Sequence, residues 1–370
     1  MLSAALLAAT TAMFVQSGPA AHAATGITVV AAGLDNPRGL AFDPHGNLYI
    51  AEAGHGGTLP LGGGPEGGPV FGGLTGGVSM VSSAHVVTGG TATRVVSGFV
   101  SIAGEGGVAA EGMAAVSTQG NRVYAQMGLN TAPVAGAPVP ADFRAAALAQ
   151  LGATVRVSGS SWSVLAHTGD ADFAWTDAHQ AWGKGQFPDA NPNGLDTQGN
   201  TQYVADAGAN IIAKVDVHGT VSTLAFLPTP DDAITDAVPT CVATAPDGSL
   251  YVGELLGGYY QPGMARVWRI ADGVAKVKWT GFTTIQGCGF DTVGNFYVTE
   301  FQLSGLGGDV PGGDVVKIAP NGARTTYGTG HLFFPSGFAF RNGAVYVSNW
   351  SIMPGQNAGP TGQVVRIPVS

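Results

Sequence analysis

One string recurs six times along this chain, and it limits the fold more than any other feature. Each copy runs from a short apolar strand through a Gly-containing turn into a second strand centred on tyrosine. The copies are NPRGLAFDPHGNLYIAEAG (36–54), EGMAAVSTQGNRVYAQMG (111–128), NPNGLDTQGNTQYVADAG (191–208), VPTCVATAPDGSLYVGELLGG (238–258), IQGCGFDTVGNFYVTEF (285–301) and FPSGFAFRNGAVYVSNW (334–350). Their tyrosines are Tyr49, Tyr124, Tyr203, Tyr251, Tyr297 and Tyr346, and the last three spacings are 46 to 49 residues. That is the length of one four-stranded propeller blade. Two further strand-like segments follow most copies, as in 211–227, 265–282 and 314–330.

The two longer spacings have visible causes. One is a Gly-rich loop from Gly54 to Gly77, and the other is an insert from Gly128 to Gly152 whose ADFRAAALAQLG predicts a short helix. Neither reads as another blade. The sixth repeat has only three strands of its own, while ITVVAAGL (27–34) precedes the first repeat without a partner. Joining the two closes the ring and leaves no open blade face. The expected fold is therefore all-β: a six-bladed β-propeller closed by the N-terminal strand joining the last blade. A seven-bladed ring and a β-sandwich pair are the alternatives.

Composition narrows the function classes. Of 370 residues, 59 are Gly and 22 Pro, just under the level of roughly 25% that marks low-complexity disorder. Net charge is −9 and only 11% of residues are charged, so no basic stripe exists to replace phosphate counterions and a nucleic-acid partner is not expected. Beyond the first residues no run of about 18 apolar residues occurs, which argues against a transmembrane anchor. Residues 1–23 read as a signal peptide with cleavage after Ala23, in the pattern Ala21-His22-Ala23, although the segment lacks the usual Lys or Arg. The mature chain, 24–370, is expected to be a single propeller domain, secreted to the extracellular side.

In a propeller, the starts of the first strands and the ends of the second strands share one face. Two rings of residues converge there. The inner ring is Arg38, Gly112, Asn193, Thr240, Gln286 and Ser336; the next is Glu52, Met127, Asp206, Glu254, Glu300 and Asn349. Two readings of the carboxylates stand side by side. They clasp the backbone NH groups of tight turns, as Asp206 with Asn210 suggests, or they hold a hard cation, Ca2+ or Mg2+, at the channel mouth. The channel-mouth and binding candidates are thus Arg38, Asn193, Gln286, Glu52, Glu254 and Glu300. The 54–77 loop reads either as a lid over this face or as a decorative insertion. It lacks the Lys-Ser/Thr of a phosphate-binding loop.

The nearest approach to a metal cluster, His167 with Asp170, Asp172, Asp177 and His179, falls in a blade connection. No Gly-x-Ser-x-Gly elbow is present. Cys241 and Cys288 lie in the first strands of blades four and five, one residue apart in register. Opposite pleat parity lets side chains on adjacent blades face each other, which predicts a disulfide; two buried thiols are the alternative.

Four strings carry a resemblance to a known group: GLDNPRGLAFDPHGNLYIAEAGHGG (33–57), RVVSGFVSIAG (94–104), DANPNGLDTQGNTQYVADAGANIIAKVDVHGTVSTLAFL (189–227) and PDGSLYVGELLGGYYQPGMARVWRI (246–270). Across nearly the whole mature chain it resembles the ScyD/ScyE family of secreted propellers, with looser similarity to NHL-type and gluconolactonase-like propellers. The resemblance implies an exported six-bladed propeller and carries over no catalytic residues. Asn193 resembles a channel asparagine of the gluconolactonase-like group, but the matching acidic partners are not at inner-ring positions. The expected function is a binding or scaffold protein that recognises a small molecule, glycan or protein on its looped face. The alternative is a Ca2+- or Mg2+-dependent lactonase or lyase.

Overall fold

The computed structural model describes residues 26–64, 68–182, 187–228, 235–258, 262–305 and 312–369. The segment read as a signal peptide, 1–23, lies outside the described residues. Six antiparallel sheets with four blade strands each follow one another around a ring. Blade 1 begins with Pro37–Phe42, blade 2 with Met113–Gln119, blade 3 with Pro192–Gln198, blade 4 with Pro239–Thr244, blade 5 with Ile285–Phe290 and blade 6 with Phe338–Arg341. In blade 6 the fourth strand is Thr28–Leu34, which pairs antiparallel with Gly362–Pro368, Thr28 opposite Arg366 and Leu34 opposite Gly362. The ring closes as the strand count requires.

The recurrent tyrosine has a packing reason. It stands opposite Ala41, Ser117, Asp196, Ala243, Gly289 or Ala339 on the first strand, a small residue in five of the six blades. The room so left lets the ring reach the next blade. Tyr251 meets Phe290, Tyr297 meets Phe338 and Tyr346 meets Phe42, with centroids 5.2, 5.4 and 4.8 Å apart. Each blade interface accordingly carries its own apolar core. That between blades 2 and 3 is the smallest, built on Ala166, Val204, Ala213 and Val215.

The two long insertions turn out differently from each other. The helix expected in the second is present as Ala141–Gln150. The Gly-rich loop is not a loop. Leu59–Gly63 pairs with Pro69–Val81, and the latter runs on as the third strand of blade 1, pairing with Thr93–Gly104 as far as Val70 opposite Gly104. Its glycines are needed because two backbones touch: a Cβ on Gly57 would lie 2.8 Å from the Gly73 Cα, and one on Gly73 would collide with the Gly56 carbonyl. A second helix, Thr168–Ala178, fills the connection between blades 2 and 3. No helix among the described residues is long and apolar enough to cross a membrane.

Candidate functional site

Three layers of first-strand residues line the central channel. In five blades the first strand carries a β-bulge at its start: in blade 1 it spans Arg38 and Gly39, and in the other four one residue is left unpaired against the second strand, Ala114, Asn193, Thr240 and Gln286. A bulge re-aims its side chain, and here it makes a polar rim of Asn193, Thr240, Gln286 and Ser336. The blade 2 member of this rim is Ala114, not Gly112, because Met113 pairs with Met127 just as Pro192 pairs with Asp206. Below the rim lies a neck of Gly39, Ala115, Gly194, Cys241, Gly287 and Gly337, and below that an apolar layer that includes Leu40, Leu195 and Phe338. Cys241 and Cys288 are joined by a disulfide with Cα atoms 5.7 Å apart, stapling blade 4 to blade 5 inside the channel wall. The cavity holds about 60 Å³. Pockets that enclose small organic ligands hold about 300 Å³ or more, so such a ligand would rest on the mouth and not inside.

The ring of acidic second-strand ends is engaged within its own blades. Glu52 accepts the Asp35 NH at 2.7 Å, Asp206 the Asn191 NH at 2.7 Å, Glu300 the Thr283 NH, and Asn349 the Phe333 NH at 2.7 Å. In each case the end of the second strand holds the segment that leads into the first strand of the same blade. Glu52 also receives Ser79 and Arg94. Glu254 is gripped by Arg266 and by the Trp268 indole NH at 2.7 Å, with the guanidinium of Arg266 4.8 Å above the Trp268 ring. Burial, ahead of the opposing arginine, raises both Glu52 and Glu254 above the ordinary carboxyl value. A carboxylate already paired with arginine is a poor ligand for Ca2+ or Mg2+, so Glu52 and Glu254 do not fit such an ion. Among the described residues no group of three or more His, Cys, Asp or Glu is arranged to hold a metal ion.

Two of these carboxyls also meet a second carboxyl. Asp172 of the Thr168–Ala178 helix meets Asp206, and Glu300 meets Asp314 across the second and third strands of blade 5. Burial first and the neighbouring carboxyl second raise Asp172 well above the usual value, and burial pushes Asp206 up to about 6 and Glu300 up to about 8. Asp170 instead accepts from Thr131, through its NH at 3.0 Å and its hydroxyl at 2.7 Å. Of the remaining acid–histidine grouping, His179 stacks on Trp175.

Around Arg38, which the inner ring predicts, the mouth gathers residues that the motifs do not single out. Arg38 donates to the Ala110 carbonyl at 2.8 Å and feels the charge of Glu111, whose carboxyl is raised by burial. Outboard of them, His55 Nδ1 lies 3.0 Å from Asp35 Oδ2. Both belong to the 33–57 resemblance string, but they sit in loops on either side of a hairpin. Backbone strain marks the same face. Eleven non-glycine described residues have φ in the left-handed region, and nine of them lie in mouth-side connections. Asn36, Val238 and Thr284, with φ of 48 to 50°, each directly precede the first strand of a blade, and Phe334, with φ of 49°, stands four residues before that of blade 6. Strain of this kind costs about 1–3 kcal/mol per residue and gathers at ligand-handling sites.

No protein-family model matches the chain, and no curated protein matches it. Solved structures do. A Bacteroides thetaiotaomicron protein of unknown function aligns with 93% of this chain and 76% of its own, at TM-score 0.56 and 11% identity. A gluconolactonase from Xanthomonas campestris aligns with 92% of this chain and 89% of its own, at TM-score 0.51 and 10% identity. An aldose sugar dehydrogenase from Streptomyces coelicolor, in its PQQ-bound form, aligns with 93% of this chain and 98% of its own, at TM-score 0.50 and 12% identity. At such identities the likeness is one of fold, and proteins with this fold differ in activity. The chain is a six-bladed β-propeller.

Proposed function

We propose that this is an exported binding propeller of the ScyD/ScyE kind that takes a small molecule, a glycan or a protein segment on its channel-mouth face. The observation that carries the reading is the asymmetry between the two faces. Nine of the eleven left-handed non-glycine residues among those described lie on the mouth side, together with the half-buried Arg38 and Glu111 and the Asp35–His55 pair. The opposite face is mostly closed by short turns, such as Asp43–Asn47 with its 3.0 Å backbone bond. Export is supported by the apolar N-terminal segment and by a disulfide, which persists in oxidising compartments.

The test is a thermal-shift screen of small molecules and glycans on the mature protein, with a pull-down for proteins, repeated on Arg38→Met and Glu111→Gln. A ligand bound only by the folded state raises the melting temperature by mass action. Hits are expected to weaken in both variants, and hits unaffected by either would place the ligand elsewhere. The rival reading, a lactonase or lyase with Ca2+ or Mg2+ at the mouth, predicts a higher melting temperature with one cation than with EDTA. The arginine-paired carboxylates argue for no difference.

A further inference from the structure

Among the described histidines, only His55 has its ring held by a carboxylate. Asp35 offers only lone pairs to Nδ1, so the ring proton is assigned to Nδ1 and the Nε2 lone pair is left over. Nε2 has no hydrogen-bond partner among the described residues, and the side chain is 27% exposed.

The pair is supported from behind. Asp35 Oδ1 accepts the Gly355 NH at 2.8 Å. Arg94 stands 3.8 Å from Asp35 and 3.2 Å from buried Glu52, which in turn holds the Asp35 NH. The loop that carries the ring is fixed too. The His55 NH donates to the Thr75 hydroxyl at 2.9 Å. Gly54 and Gly56 on either side have φ of 87° and 66°, and a Cβ on either would come 2.6 Å from backbone, at the Gly76 nitrogen and the Phe71 carbonyl oxygen respectively. A ring oriented by a carboxylate on tightly packed backbone is how a proton-transfer group is preorganised.

We propose that His55 is a general base and that the mouth face hydrolyses a small ester, with Asp35 as a positioning residue. Nε2 takes a proton from water as the water oxygen bonds to the acyl carbon. The tetrahedral intermediate then expels the alcohol oxygen, which leaves with the proton returned by the imidazolium, so ester and water give one acid and one alcohol. The substrate class follows from what a single imidazole supplies. General-base assistance is worth about 10²–10⁴-fold, enough for an ester with a good leaving oxygen and too little for an amide. The proposal rests on the mouth face being where a ligand is taken.

The test uses p-nitrophenyl acetate with the mature protein, His55→Gln, Asp35→Asn and, as a control, His85→Gln, whose ring is hydrogen-bonded to the Ser82 hydroxyl. The expected result is a wild-type rate about tenfold or more above that of His55→Gln, with His85→Gln unchanged. Asp35→Asn should lower kcat by about tenfold or more and leave KM in place, since the tautomer is lost and not the binding surface. Equal rates in wild type and His55→Gln overturn the proposal, as does equal loss in the two histidine variants. Should His55→Gln fail to fold, diethylpyrocarbonate on the wild type replaces it: loss of rate must track carbethoxylation of His55 by mass spectrometry and return with hydroxylamine. Ester turnover that depends on His55 in a protein with no hit in the ligand screen would sink only the binding reading. A mouth-face ligand with no such turnover would sink only this one.

Discussion

Glu300 and Asp314 stand directly opposite each other on the second and third strands of blade 5, both buried, with the Thr283 NH on one and the Thr329 hydroxyl on the other. Near neutral pH the pair holds a proton that the unfolded chain would release, because burial and then the second carboxyl push Glu300 up to about 8. A folded state that binds more protons than the unfolded one loses stability as pH rises. The loss should begin near the ordinary glutamate value, about 4.5, and level off above about pH 8; Asp206, raised to about 6, adds to its lower half. Glu300→Gln keeps an oxygen for the Thr283 NH and gives Asp314 a donor. Its melting temperature should exceed that of wild type at pH 8 and fall less between pH 6 and 8. Parallel melting curves for the two proteins across that range would mean that no proton is shared.

The Cys241–Cys288 bond closes a loop with sequence separation 47. On the chain-entropy treatment such a closure contributes up to about 4 kcal/mol. Cys241→Ser with Cys288→Ser should therefore melt several degrees lower than wild type, with the ring still formed. The complementary check is thiol titration of denatured, non-reduced protein, where two titratable groups would contradict the bond.

The channel neck tolerates no side chain at any of its four glycines, Gly39, Gly194, Gly287 and Gly337. A Cβ on Gly337 would strike the Arg38 carbonyl oxygen, and one on Gly194 would lie 2.8 Å from the Cys241 Cα. Backbone cannot rotate away as a side chain can, so Gly337→Ala should cost about 1–3 kcal/mol as an overpacking change. Urea denaturation measures it. Gly343→Ala is a useful contrast, since that position has open space and only its φ of 69° to oppose alanine.

Removing Thr28–Leu34 takes away the fourth strand of blade 6 and uncovers the edge of Gly362–Pro368. Exposed edges of this kind pair with other chains. A variant beginning at Asp35 should elute as oligomer or aggregate on size exclusion, where a chain beginning at residue 24 elutes as a discrete species. Identical elution of the two would show that the ring does not depend on its latch.

Much of this architecture was legible because its causes are local. A tyrosine that must stand opposite a small residue and reach the next blade leaves the same short string in every blade, so Tyr49 through Tyr346 count the blades. Pleat parity was enough to pair Cys241 with Cys288. The rim was harder to read, since a bulge has no residue signature: Gly112 resembled the start of a strand by its glycine, and the register moved the rim to Ala114. The 59–81 hairpin was hidden by its own glycines, which read as loop and serve backbone contact. The helix at 168–178 is only weakly amphipathic and carries Asp172 inward. Asp35, His55 and Arg94 come from three separate segments, and nothing in their spacing announces that packing brings them together.

The pairing of Thr28 with Arg366 also sets a timetable. The first blade strand to be made is the last to find its partner, so no product that stops before Gly362 can close the ring, however well its early blades form. Closure thus reports that synthesis has passed Gly362–Pro368. Chains that stop early keep a loose amino-terminal strand and an uncovered blade, the features by which proteases tell the unfinished from the complete.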